Sequence, residues 1–160
     1  MFPVSTLLRT LEFLCLSLWL GGGVFLSFVV APGAFSVLAA RDQAGALVGY
    51  ALSRLHLIGL VCGFVFLVVR WLRTRAFESF FSPVALAVVL MIALTAASQF
   101  HVSPRMAELR NRMSSIQNTP AEHPLRVEFD RLHRLSVGLE SGVLLAGLAA
   151  LILLARESSH

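Results

Sequence analysis

The chain has 160 residues, 57% of them hydrophobic and 14% charged, and its 13 basic residues, all Arg, outweigh 9 acidic ones for a formal charge of +4. A soluble domain of this size needs far more polar surface, so a mean hydropathy of +0.80 points to a membrane. The Arg residues cluster between long apolar runs without interleaved aromatics, a pattern of membrane flanks that argues against a nucleic-acid groove.

A helix needs about 20 apolar residues to cross hydrocarbon, and four segments meet that length: 6–38, 44–72, 83–102 and 125–155. At the start of the first, Arg9 precedes an apolar stretch, and Ala31 and Ala34 imitate a cleavage site. The stretch 11–40, with Glu12 as its only charge, is too long for a signal peptide and is read as a span. Cys15 and Cys62 lie in apolar runs without CxxC or Cys/His spacing, so they read as buried small hydrophobes.

The connection 39–43 is short enough to make spans one and two antiparallel neighbours, and 73–82 does the same for spans two and three, ending in the Ser82-Pro83 helix start. The third connection, 103–124, is polar yet rich in helix formers and reads as partly helical and outside the bilayer. Pro104 should kink or restart the third helix, and Thr119-x-x-Glu122 reads as a capping box before the fourth. Four spans place the termini and the second loop on one side. The Arg count, with Arg41, Arg105, Arg110, Arg112, Arg126, Arg131 and Arg134 opposing Arg9, Arg70, Arg73, Arg75 and Arg156, leans towards a cytoplasmic third loop.

Lipid tails compete with Leu for contact, so bilayer helices associate along seams of small residues. Gly45, Gly49, Ser53, His56, Gly59 and Gly63 share one face of span two, and Gly138 and Gly142 begin such a seam on span four. With a rise of about 1.5 Å per residue, His56, Gln99 and Glu140 fall about 21 to 24 Å from the terminal side. They therefore form one polar layer, expected near the face carrying the first and third loops. Arg54 is two residues from His56 and points elsewhere, to headgroups or another neighbour. His101 and Arg105 lie on one stripe of span three, His133, Ser136 and Glu140 on one of span four.

Three readings fit this layer. His56, His101, His133 and Glu140, with Gln99, Arg105 and Ser136, form a polar pocket that fixes helix register in a non-enzymatic protein. Alternatively His56 with His101 or His133 ligates haem b or copper, although no CxxCH, HxxxH or HExxH motif occurs. The third is a small-solute or proton-linked transporter with Glu140 as the titrating group. No catalytic motif is present and no protein partner is identifiable; the partner is the lipid bilayer, of a bacterial inner membrane, and a homo-oligomer is compatible with the seams.

Trp19 with Gly21 to Gly23, Pro32, Phe35, Ala44-Gly45 and Phe129-x-x-x-His133-x-x-Ser136 resemble the DUF4149 membrane proteins, which are similar to the animal transmembrane protein 205. The resemblance implies a four-span, all-α membrane bundle over 1–160 without an assigned activity. In the animal members an Asn follows the His by seven residues, and here that place is Glu140, which favours a titratable role. The family is distantly similar to copper-resistance protein D and to the haem-containing protoporphyrinogen oxidase of bacteria, which makes haem or copper the cofactor to test.

Overall fold

The computed structural model describes residues 4–113 and 115–157; the chain ends of the domain expected over 1–160 lie outside them. Among the described residues there is no strand, and four helical rods account for almost all of the chain. The first rod is α1 (Val4–Phe25) continued by α2 (Ala31–Val37), the second is α3 (Arg41–Thr74), the third is α4 (Pro83–Ala97) continued by α5 (Ser103–Met113), and the fourth is α6 (Pro124–Arg156). Each is long and apolar enough to cross a membrane.

Pairing follows the short connections: α1 packs chiefly on α3, and α4 on α6, with α3 against α4 and α1 against α6 closing a four-membered ring. The inside-out distribution of residues is what lipid demands. Glu12, His56, Arg70, Thr95, Ser98 and Ser136 are buried, whereas Leu7, Phe28, Phe64 and Leu145 are each two-thirds or more exposed on the outer faces. A chain with this exterior is an integral membrane protein.

Helix boundaries follow local chemistry. Ser82 caps α4 by accepting from Ala85 N at 3.3 Å, with Pro83 at the first helical position, where its missing N–H costs nothing. α3 ends on Arg75 in the left-handed conformation (φ 54°), whose N–H donates to Trp71 O at 2.8 Å. The start of α6 differs from expectation: His123, not Thr119, is the cap, its Nδ1 accepting from Leu125 N at 3.3 Å. Thr119 instead donates to Ser115 O at 2.6 Å inside the preceding turn, because Pro124 sets where a regular helix can begin.

Two π-helical turns, Leu26–Val30 and Ser98–Val102, join the halves of the first and third rods. Each comes just before a proline, Pro32 and Pro104. A proline cannot donate to the carbonyl four residues back and its ring crowds that carbonyl, so the helix widens by one residue instead of breaking. The widening shows in the wider hydrogen bonds, Ala31 N–H to Leu26 O and Ser103 N–H to Ser98 O. Pro104 thus does not end the third rod; the helix runs on to Met113, past the expected Val102.

The seams of small residues divide by role. A Cβ on Gly59 or Gly63 would enter the Trp19 indole, lying 2.5 Å from Cε2 for Gly59 and 2.7 Å from Cζ3 for Gly63, so these glycines form the groove that receives Trp19. Gly142 meets Leu94 of α4 at 3.0 Å. Gly45 and Gly49 face the Arg110 guanidinium at 3.5 and 3.7 Å rather than the backbone of another helix, and Gly138 has nothing within 4 Å. Cys15 and Cys62 are buried free thiols in the core around Trp19, Phe66 and Met91. Reporter fusions after Ala76 and after Ser115 are expected to give opposite compartments, since these turns cap opposite ends of the bundle; equal signals at both would break the four-span arrangement.

Candidate functional site

The polar layer is built by three helices at their mid-length. His56 of α3 is 2% exposed, and its two ring nitrogens have separate partners: Nδ1 lies 3.2 Å from Gln99 Oε1, and Nε2 lies 3.4 Å from Glu140 Oε2. The Gln99 amide is oriented by its Nε2, which donates to Ser53 Oγ at 3.0 Å. Ser53 and His56 come from one face of α3, Gln99 from the π-turn after α4, and Glu140 from α6, so the site ties three rods together. Glu140 also reaches the first rod: a Cβ on Gly23 would stand 3.1 Å from its Oε1. Only a glycine allows α1 to pass that close.

Hydrogen-bond logic fixes what this cluster can do. Both groups facing the imidazole, an amide oxygen and a carboxyl, accept. With neutral His56 and an ionised Glu140, only one ring nitrogen can donate, and the other turns its lone pair on an acceptor, the carboxylate or the Gln99 oxygen according to the tautomer. A proton shared by the pair removes that clash, either as imidazolium and carboxylate or as imidazole and carboxylic acid. The 3.4 Å separation is at the long end for a hydrogen bond, and a small approach of α6 would tighten it.

Beside this layer lies a half-open cavity of about 1140 Å³, lined by residues of all four rods. Gln99, Glu140, Ser53 and Ser136 contribute to its polar lining, Asp42, Arg110, Arg126 and Asp130 add charged groups, and Leu26, Phe28, Phe35 and Leu144 contribute apolar wall. Both proline-linked π-turns border it, and the widened helices there make room that regular α-helix would fill. At the end bearing the first and third loops, Arg110 lies across Gly45 and Gly49, donates to Gly45 O at 3.3 Å, and stands 5.8 Å from the Phe129 ring. Asp42, in the first turn of α3, ties down the third loop by accepting from Ser115 Oγ at 2.7 Å and Ile116 N at 3.0 Å. Arg126 donates to the Ile116 carbonyl and pairs with Asp130 at 3.0 Å.

The residues singled out from sequence separate accordingly. His56, Gln99 and Glu140 come together; Ser136 is buried one turn from Glu140 and lines the cavity. His133 lies on the cavity wall, stacked parallel to Phe129 at 6.5 Å, away from His56. His101 is exposed on the bundle exterior, because a residue two places from Gln99 falls on the other side of the helix. Arg105 points away from the layer, to Glu108 at 2.8 Å and Glu128 at 2.9 Å. Arg54 lies over the Tyr50 ring at 5.1 Å. The layer sits halfway along the helices: His56 in Arg41–Thr74, Gln99 in the third rod Pro83–Met113 and Glu140 in Pro124–Arg156. Sequence reasoning did not find the group of Asp42, Arg110, Arg126 and Asp130; Asp42 in a helical first turn was its only local signal.

The three histidines weighed as haem or copper ligands have separate surroundings. Both nitrogens of His56 are engaged, His101 and His133 are directed elsewhere, and among the described residues no three His, Cys, Asp or Glu side chains gather closely enough to hold a metal ion.

No curated protein and no solved structure matches the chain. The family model for a domain of unknown function (DUF4149) matches residues 14–115, from the core of α1 through α5 to the turn beyond it. That match includes the Trp19 groove, both π-turns and the Ser53, His56 and Gln99 part of the polar layer, and covers more than half of the sequence; the chain belongs to the DUF4149 family.

Proposed function

We propose that this membrane protein is non-enzymatic and takes a small amphipathic solute into the cavity, with the His56–Glu140 pair gaining or losing a proton as the solute binds. The observation that carries the reading is a titratable pair at mid-length of the bundle bordering a cavity whose wall is mostly apolar. Such a lining holds a solute by its apolar body and orients it by a few polar groups. An intramembrane carboxyl facing a cavity is costly to keep unless it serves such a path. The reading sets the protein in a bacterial inner membrane with its third loop cytoplasmic, supported by the Arg majority beside the first and third loops.

In proteoliposomes with an imposed pH gradient and an internal pH-sensitive dye, the wild type is expected to dissipate the gradient. Glu140→Gln should slow this about tenfold or more, since no second carboxyl stands in the layer to replace it. Equal rates in the two proteins, or none in the wild type, would sink the proton linkage. A stoichiometric Soret band lost in His56→Ala would replace the reading with a haem-binding one.

A further inference from the structure

At the opposite end of the bundle, where α1 begins and α3 ends, a second polar cluster is buried among apolar helices. Glu12 is fully buried, and Arg73 Nε donates to its Oε1 at 3.1 Å. Arg70, 4% exposed, donates to Ser82 Oγ at 3.1 Å and to Glu157 Oε1 at 2.7 Å. Arg70 and Arg73 are thereby paired with Glu157 and Glu12, although Glu12 Oε2 is itself buried without a hydrogen-bond partner. Among the described residues Arg9, one turn before Glu12 on α1, makes no ion pair, and its buried Nε and Nη2 have no hydrogen-bond partner. Arg70 Nη1 is also buried without one. Within this cluster three guanidiniums stand against two carboxylates, so one positive charge has no carboxylate of its own.

Beside Arg9 is a pocket of about 270 Å³ lined by Ser5, Thr6, Arg9 and Arg73. Two guanidinium forks and two hydroxyls surround a space of the size of one phosphate group with its ester substituents. Guanidinium matches phosphate oxygens in pairs, and the bond is charge-assisted. Arg73, Ser82 and Glu157 mark the ends of three rods, so the pocket lies at the level where spans meet headgroups.

We propose that the Arg9–Arg73 pocket is a phosphate-binding site whose occupant is the phosphodiester of an anionic lipid or free phosphate. The anion neutralises the surplus charge and supplies acceptors for Arg9, and so locks the start of α1 against the end of α3. This site is at the other end of the molecule from the cavity and does not depend on the reading given for it.

The test uses full-length protein, stripped of lipid in detergent, and follows its thermal midpoint. Phosphatidylglycerol is expected to raise the midpoint and diacylglycerol, which lacks the phosphate, to leave it unchanged. Arg9→Gln should raise the half-saturating lipid concentration about tenfold or more, the loss of one charge-assisted pair. Arg9 has no protein partner to lose, so this variant should fold; Arg9→Lys, which keeps the charge without the fork, should recover part of the response. Arg54→Gln, removing a charge far from the pocket, should keep all of it. An Arg9-dependent shift with millimolar inorganic phosphate alone identifies free phosphate, and one seen only with phosphatidylglycerol identifies the lipid. Equal responses in wild type and Arg9→Gln, or an equal loss in Arg54→Gln, would overturn the site.

Discussion

Replacing Arg73 by Gln is expected to destabilise the bundle by about 3 kcal/mol or more, measured as unfolding by a denaturing detergent in mixed micelles. Glu12 has no exposed surface, and among the described residues Arg73 at 3.1 Å is its only ion-pair partner. Removing the cation strands a carboxylate among apolar side chains, where neither water nor another cation within 4 Å can answer it. The mirror-image change, Glu12→Gln, should cost less. Arg73 is 21% exposed and has Glu157 at 3.9 Å, so it keeps access to solvent and to a second carboxylate. The double variant Glu12→Gln/Arg73→Gln should recover much of the loss of the single Arg73 change, because two neutral amides can bond each other without a buried charge. Additive costs in the double variant would show that the pair is not coupled.

Gly59→Ala is the second change with a large expected effect, about 1 to 3 kcal/mol of destabilisation by overpacking. Its methyl would enter the five-membered ring of Trp19, a side chain only 3% exposed whose six-membered ring lies against Gly63 of the same groove. The indole cannot retreat without opening the α1–α3 contact on which the bundle closes. Gly138→Ala, with open space around its Cβ, should be neutral or gain at most about 1 kcal/mol from helix propensity. A Trp19→Leu change made together with Gly59→Ala should relieve the clash. If Gly59→Ala and Gly138→Ala unfold at the same midpoint, the groove is not a determinant of the fold.

How far the polar layer could be read from sequence depended on what kind of information each residue needed. His56, Gln99 and Glu140 were placed at one level by counting rise per residue, since a helical rod converts sequence distance to depth. Their convergence was legible because His56 shares a face with Gly59 and Gly63. His101 was not separable from that set by depth alone: which side of a helix faces inward depends on its rotation in the bundle, and the π-turn at Ser98–Val102 alters that rotation after α4. His133, a full seven residues before Glu140, lies about 10 Å away from it along the helix. The glycine seam failed in the same way. Four glycines on one face of α3 look equivalent in sequence, yet Gly59 and Gly63 receive Trp19 while Gly45 and Gly49 face Arg110. Arg9 gave no signal at all, because an unpaired guanidinium is defined by the carboxylates that its neighbours have already taken.

The amino-acid order alone set the number of spans, their antiparallel succession and the lipid-facing exterior, because apolar length and loop length act locally and need no partner. The choice of partner for each buried charge, the groove for Trp19 and the cavity beside Glu140 were decided only when the four rods closed into a ring. Those features depend on rotation and translation between helices, and in hydrocarbon such small shifts settle which polar atoms meet and which stay alone.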